Sequence, residues 1–505
     1  MKKITFQILL SVAFLAVGCK KDWLDINTSP NDARDATPQA VLSTALSGTG
    51  NLVVNTYQTY GAWTVGYWAK TNVVSGYNTY RTYNYTSATE QGIWNQSYNN
   101  LMDYEFVEKK ANELKNHEYY IAIAKIMKAY VFQQVVDQYG NIPYAQALKG
   151  KSNLTPTYDD AKVIYEDLVK QLDDARKLLV ETDPDNTIHV GEEDIMFHGD
   201  LMKWRQFANS VKLRILMRQS SAPDRKAYIT PLLTALASNT DGFIAADAAV
   251  NPGYLKTSGK QNPFWDRYYL DAADGEATEH KYVGPTKYGI SKVDHERGVA
   301  IFGTASPAGI DLGDLNPPNH TPFGQATIFK SHDQDAILFQ LSEVKFLQAE
   351  AVEVLGVNFG DARTLYEEGV AESFYFMMLS SEITADWFAG TYGVDPTPAN
   401  VETELVIPYL ESEEVDIDWD DSPNKLRAIH TQKWISMYLI NSLEAWNEFR
   451  RTGFPVIPVS QEAVRPGVLP VRLLYPQTEE AYNGANVSKQ GKIDQFTSKL
   501  FWDVN

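Results

Sequence analysis

Apolar residues recur at intervals of three and four through six long stretches of this chain, each with a clear stop, and that spacing restricts the fold more than any other feature. In residues 119–139, Ile123, Ile126, Met127, Tyr130 and Val131 fall on one helical face, and Gly140 ends the run. Residues 159–180 repeat the pattern with Val163, Ile164, Leu168, Leu172, Ala175 and Leu179. Residues 201–219 do so with Trp204, Phe207, Ala208, Val211 and Ile215. Residues 341–355, 362–379 and 425–451 are three more, the last closed by Gly453. Alternating, strand-like stretches of comparable density are missing. The expected fold class is all-α.

Pairing says more than number. Phe346 to Ala351, a loop at Gly356 to Gly360, and then Asp361 to Tyr366 put small residues thirteen apart on consecutive helices. This resembles a tetratricopeptide unit, in which small residues let two antiparallel helices approach closely. A generic antiparallel hairpin satisfies the same spacing. Residues 119–140 followed by 157–180 are a second candidate pair. Between the helices, residues 60–92 and 240–335 are rich in Gly, Asn, Thr, Pro and Asp, and residues 380–424 in Pro, Asp and Glu. Loops this long are usually functional or disordered. These also carry aromatic residues, which disordered tracts tend to lack, so we read them as ordered and functional. At 505 residues the length alone suggests about three domains of ~150 residues. The pattern reads instead as a single domain from residue 19 to 505. Its helical frame covers about 92–220 and 336–453, with loop-rich insertions at about 60–92, 240–335 and 380–424.

The first residues form a separate segment. Met1-Lys2-Lys3 precedes an apolar run from Ile4 to Val17, about fourteen residues where a membrane span needs roughly 20. Small residues then lead into Cys19, the only cysteine. The segment resembles a bacterial lipoprotein signal, with residues 1–18 cleaved and Cys19 lipidated as the mature N-terminus. A plain secretory signal with Cys19 left as a free thiol is the alternative. One cysteine excludes an intramolecular disulfide and any cysteine-based zinc cluster. Cleavage removes two lysines from a formal charge of −19, leaving −21 on 487 of the 505 residues. A body that acidic does not bind nucleic acid by neutralising phosphates, nor cling unaided to an anionic membrane. Membrane association would come through the N-terminal lipid only.

Five collinear phrases resemble the SusD/RagB family of nutrient-binding outer-membrane lipoproteins. Asp22-Trp23-Leu24-Asp25-Ile26-Asn27 is similar to the family's mature N-terminus. Tyr130 to Tyr144, with Asp137, Tyr139-Gly140 and Pro143-Tyr144, resembles its helix-to-loop passage. Gly199-Asp200-Leu201-Met202-Lys203-Trp204 through Phe207-Ala208-Asn209-Ser210-Val211-Lys212-Leu213-Arg214 is similar to a third segment. Glu343 to Ala351 and Gln432-Lys433-Trp434 to Gly453, with Glu444-Ala445-Trp446-Asn447-Glu448, complete the set. The resemblance implies four tetratricopeptide-like helix pairs beside a loop-rich binding half. It also implies a lipoprotein facing the cell exterior that captures oligosaccharides, or peptides in some branches, and serves a SusC-like TonB-dependent transporter. Asp294-His295-Glu296-Arg297 departs from the "DPR" phrase of many members.

A sugar ring has apolar faces edged by hydroxyls, so its site needs aromatic platforms flanked by amides, carboxylates or guanidinium groups. The aromatic share here is 12%. Residues 57–85 concentrate it: Tyr57, Tyr60 and Trp63 share a helical face and read as core, whereas Trp68, Tyr77, Asn78, Tyr80, Arg81 and Tyr83 are candidate ligand contacts. Tyr77, Tyr80 and Tyr83 recur at threes, which a short packed helix also explains. In the second long loop, Trp265 is a candidate platform with Asp266 and Arg267 beside it, or else part of a plug on the scaffold. Trp204, Trp434 and Trp446 read as structural. No nucleophile elbow, HExxH, Walker loop or dinucleotide fingerprint is present, and no residue is assigned a catalytic role. His189 and His198 read as loop residues. Asp416, Asp418 and Asp420 alternate as in a calcium loop, but Asp421 and Arg427 stand where the glycine and closing acid belong. The expected cofactor is none, with a looser structural calcium site weighed against a solvated acidic loop. Against a binding protein stand two other classes: a glycoside hydrolase with two carboxylates about 5–10 Å apart, and a helical scaffold without a small ligand.

Overall fold

Aspartates and glycines mark the helix ends. The structure is a computed structural model describing residues 36–317 and 319–505; Cys19, the 22–27 phrase and the signal-like segment lie outside the described residues. Helices α1 (Pro38–Asn51), α2 (Gln58–Thr64), α3 (Gln91–Glu113) and α4 (Glu118–Tyr139) come first, α1 and α2 being joined by one π-helical turn, Leu52–Tyr57. They are followed by α5 (Ala161–Glu181) and α6 (Leu201–Met217). Asp160 caps α5 by accepting from the backbone N–H of Lys162 and Val163, and Asp200 caps α6 through Met202 and Lys203. Then come α7 (Leu341–Leu355), ended by Gly356 at φ 64°, and α8 (Ala362–Leu379), capped by Asp361. The last long helices are α9 (Lys425–Ser436) and α10 (Ser442–Thr452), the latter ended by Gly453 at φ 76°.

Successive helices pack as pairs, α3 on α4, α5 on α6, α7 on α8 and α9 on α10, with α4 also on α5, α6 on α7 and α7 on α9. The chain is mainly helical, as expected, and residues Pro38–Asn505 form one unit. In α5 the three-and-four spacing buries Ile164, Leu168, Leu172, Ala175 and Leu179 against its neighbours. Small residues close the α7/α8 pair: a Cβ on Gly369 would stand 2.7 Å from the Phe346 ring.

One helix expected as continuous is broken. Residues 425–451 split at Met437–Asn441, where Leu439 is left-handed at φ 52°, a conformation that does not propagate a helix. Tertiary contacts hold the corner. Tyr438 stacks on Tyr67 at 4.1 Å between centroids and donates its hydroxyl to the Tyr67 carbonyl, while Ser442 N–H donates to Gln58 Oε1 at 2.9 Å. Local periodicity is blind to such partners.

Three small antiparallel ladders stitch the long segments to the frame. Strand β1 (Trp68–Lys70) pairs with β5 (Val283–Pro285), β2 (Ile142–Pro143) with β3 (Tyr158–Asp159), and β4 (Ala248–Val250) with β6 (Ala336–Phe339). The β1/β5 ladder matters most, because it joins two loop-rich segments more than 200 residues apart. The Asp294 phrase is structural: Asp294 caps a short helix, His295–Phe302, and Arg297 is wholly buried over Phe374 and Tyr409, bonded to Asp294, Ser373 and Gln432.

Charge sits unusually deep in the helical frame. Arg214 forms a two-pronged pair with Glu343 at 2.7 and 2.6 Å. Arg218 is paired with Asp137, Glu444 and Glu448, and Arg451 with Glu350 and Glu448. All are buried. The phrases around Asp137, Arg214, Glu343 and Glu444–Arg451 therefore meet in space.

Candidate functional site

Leaving β1, the chain turns at Ser75–Gly76 into a single helical turn, Asn78–Thr82, framed by two left-handed residues, Tyr77 at φ 61° and Tyr83 at φ 55°. Each such non-glycine residue costs about 1–2 kcal/mol of backbone strain, and strain of this kind collects at functional sites. Its consequence here is directional. Tyr77 and Tyr80 lie over the buried Trp63, with centroids 5.3 and 5.1 Å from it and planes inclined by 30° and 7°. Both tyrosines stay partly exposed while Trp63 forms the floor. Tyr282, carried in just ahead of β5, adds a third ring 6.2 Å from Tyr77.

Polar groups ring these faces. The Tyr77 hydroxyl donates to Glu279 and that of Tyr80 to Glu90. Arg267 Nε donates to Glu279 Oε1 at 2.9 Å and its Nη1 to Asn55 Oδ1 at 2.9 Å, with the guanidinium over the Tyr268 ring. Burial, then the neighbouring carboxylates, push the Tyr77 and Tyr80 hydroxyls well above the usual phenol range. Burial also raises the Glu90 carboxyl and lowers the Lys70 ammonium, the latter helped by Arg81. Burial works against the charge of Arg267, but Tyr268 and Glu279 outweigh it and hold the group above its usual value. Beside the rings, Lys70, Tyr80, Arg81 and Asp314 line a crevice of about 10 Å³, room for about one water. Arg81 Nε is buried there without a hydrogen-bond partner. The result is a cluster of partly exposed, mutually tilted rings edged by donors and acceptors.

Of the candidates named from sequence, Tyr77, Tyr80, Arg81 and Arg267 come together here, and Asn78 lies exposed at the rim, its Nδ2 donating to the Ser75 carbonyl. Trp68, Tyr83 and Trp265 do not offer a face. Trp68 is fully buried between Trp63, Phe264 and Tyr268. Tyr83 is 1% exposed, and Trp265 packs edge-on against Tyr269 at 4.7 Å. These three are corrected to core positions: the β1/β5 ladder covers the first, and the one-turn helices 78–82 and 263–268 turn the others inward. Asp266 is half-buried, its carboxyl raised by burial and then by Asp271. Glu90, Glu279 and Tyr282 were not anticipated. Glu279 and Tyr282 are ordinary residues until the strand pairing brings them beside Tyr77, and Glu90 meets Tyr80 from ten positions along the same segment; no local pattern announces either.

The acidic residues weighed for calcium have partners within the chain. Asp416 pairs with Arg427 and Lys292, Asp420 with Arg363, and Asp418 accepts from the backbone N–H of Asp420 and Asp421. Among the described residues, Glu350, His430 and Glu448 are the one group of three metal-type ligands close together. Arg451 donates to both of its carboxylates.

Residues 30–476 match the model of the SusD-like family described as starch-binding and associating with the outer membrane. A SusD/RagB family protein of Bacteroides thetaiotaomicron shares the fold with a TM-score of 0.74 at 20% identity, over 93% of this chain and 99% of that one. A chitin-binding protein gives 0.71 at 23% identity, over 93% and 100%. A chitin-binding SusD homolog of Flavobacterium johnsoniae gives 0.67 at 20%, over 92% and 99%. No curated protein matches significantly. Among the described residues no helix is long and apolar enough to cross a membrane.

Proposed function

This chain belongs to the SusD-like family, and on that premise we propose that it holds a glycan against the exposed faces of Tyr77 and Tyr80. The observation that carries the reading is the pair of tyrosines stacked over Trp63 and edged by Glu279, Arg267 and Arg81. Pyranose C–H faces match such rings, and sugar hydroxyls match fixed carboxylate and guanidinium partners. Members of the family are binding proteins, and the assigned role here is capture without turnover. The family associates with the outer membrane. Cys19 would supply a lipid anchor with the body facing the cell exterior, and a SusC-like TonB-dependent transporter would receive the glycan. The chitin-binding relatives make N-acetylglucosamine oligomers the first ligands to try, and the family description adds starch-type glucans.

Calorimetric titration with chitohexaose and maltoheptaose tests this. One of the two is expected to bind, and Tyr80→Ala or Tyr77→Ala to weaken it about fivefold to tenfold, as for the loss of one stacking ring. Binding by the Tyr77→Ala/Tyr80→Ala double variant at full affinity would place the glycan elsewhere.

A further inference from the structure

Glu279 and Tyr282 share one short turn, and the residue between them that points inward is His280. On the outer side, Glu279 accepts from Tyr77 and Arg267, and Tyr282 faces Tyr77. On the inner side the His280 ring is buried, 9% exposed, with Nδ1 2.9 Å from Glu276 Oε1 and Nε2 2.8 Å from the Phe323 carbonyl oxygen. A carboxylate and a carbonyl only accept. A neutral imidazole has one N–H, so one of its nitrogens would turn a lone pair toward an oxygen; the imidazolium donates to both.

Besides Glu276, the titratable groups facing the ring are Tyr269, edge-on at 5.4 Å, and His320. Burial and then the charge of His280 push His320 below the usual imidazole range, and its Nε2 is buried without a partner. Thr71 fastens the far end of the same turn, its N–H donating to the Tyr282 carbonyl at 3.1 Å and its hydroxyl to the Lys281 carbonyl at 2.7 Å.

We propose that His280, as an imidazolium, is the positioning residue of the glycan platform: it clamps the Glu276–Tyr282 turn to the Phe323 backbone and so holds Glu279 and Tyr282 in place beside Tyr77. The inference rests on reading that cluster as the glycan site. Its sign follows from the partners. Losing a proton breaks one end of the clamp, so affinity falls as pH rises.

The test is calorimetry with chitohexaose and maltoheptaose at about pH 6 and about pH 8.5. Wild type should bind about fivefold more weakly at the higher pH, as for one lost charged hydrogen bond acting through position. His280→Gln should bind weakly at both values with a flat profile. An unchanged wild-type affinity, or a pH dependence that survives in His280→Gln, overturns the proposal. A second readout needs neither sugar nor variant. In the ¹⁵N-histidine spectrum of wild type at about pH 6, the imidazole in contact with the Tyr269 ring should carry protons on both nitrogens. A single protonated nitrogen there also overturns the clamp. If neither sugar binds at either pH, the glycan reading fails, and the spectrum still decides the clamp.

Discussion

Aromatic residues of one short segment divide into two jobs, and exposure of a face decides which. Trp68 and Tyr80 stand twelve positions apart in a stretch of uniform composition. Trp68 lies on β1 with rings on several sides and none of its surface exposed, whereas Tyr80 stacks on Trp63 and stays partly exposed. Replacing each by alanine should separate the roles. Trp68→Ala is expected to lower unfolding stability by about 3–5 kcal/mol, the cost of emptying a large core site. Tyr80→Ala should cost less and be felt in glycan affinity. Urea midpoints beside titrations read both, and equal stability losses with equal affinity losses would refute the division. The same contrast governs Trp265, whose alanine variant belongs with Trp68. Composition located the aromatic segment. It did not tell which rings were covered, because cover comes from residues such as Phe264 and Tyr268, some 200 positions away.

At the scale of elements, boundaries set by local chemistry were legible and those set by distant partners were not. Helices α7 and α8 begin and end where their periodicity and Gly356 and Asp361 say they should. The break before α10 depends on Tyr67 and Gln58, from the opposite end of the chain. Glu279 and Tyr282 escaped notice for the same reason, since only β1/β5 pairing brings them to Tyr77. Close helix contacts give a sharper check. A Cβ on Gly61 of α2 would collide with the backbone of Ser442 and Leu443 at the start of α10. Backbone cannot step aside as a side-chain tip can, so Gly61→Ala is expected to destabilise by about 1–3 kcal/mol, although alanine favours a helix. Gly369→Ala meets only the edge of Phe346 and should cost less. Denaturant midpoints of the two variants order the effects, and a stabilised Gly61→Ala would contradict the packing.

Across the whole molecule the buried ion pairs join α4, α6, α7 and α10, with Lys433 of α9 paired to Glu448 at 3.0 Å, and they tie global stability to pH. Removing one partner strands charge. Arg218→Met leaves Asp137, Glu444 and Glu448 without their shared cation and should cost about 3–5 kcal/mol. Two buried groups shift in opposite senses. Burial pushes the Asp137 carboxyl up to about 6 against the pull of Arg218, and burial pushes His430 down to about 4 although Glu350 favours its charge. The folded protein holds His430 neutral, while the unfolded chain takes up a proton below its ordinary value near 6.5. Stability from His430 is thus present above about pH 6.5 and lost as pH falls toward 4. Asp137 acts the other way: the folded state binds its proton first, so acidification from about pH 6 to 4 adds stability and masks the loss. Wild type alone therefore does not reveal His430. His430→Gln removes one of the opposing groups and leaves the other. Between about pH 7 and pH 4.5 its stability should fall by about 2 kcal/mol less than that of wild type, the integrated value of His430's shift over that window. Urea unfolding of both proteins at the two pH values measures the difference directly. Parallel pH profiles would mean that His430 takes up its proton within the folded network, and that Glu350 outweighs burial in setting its charge.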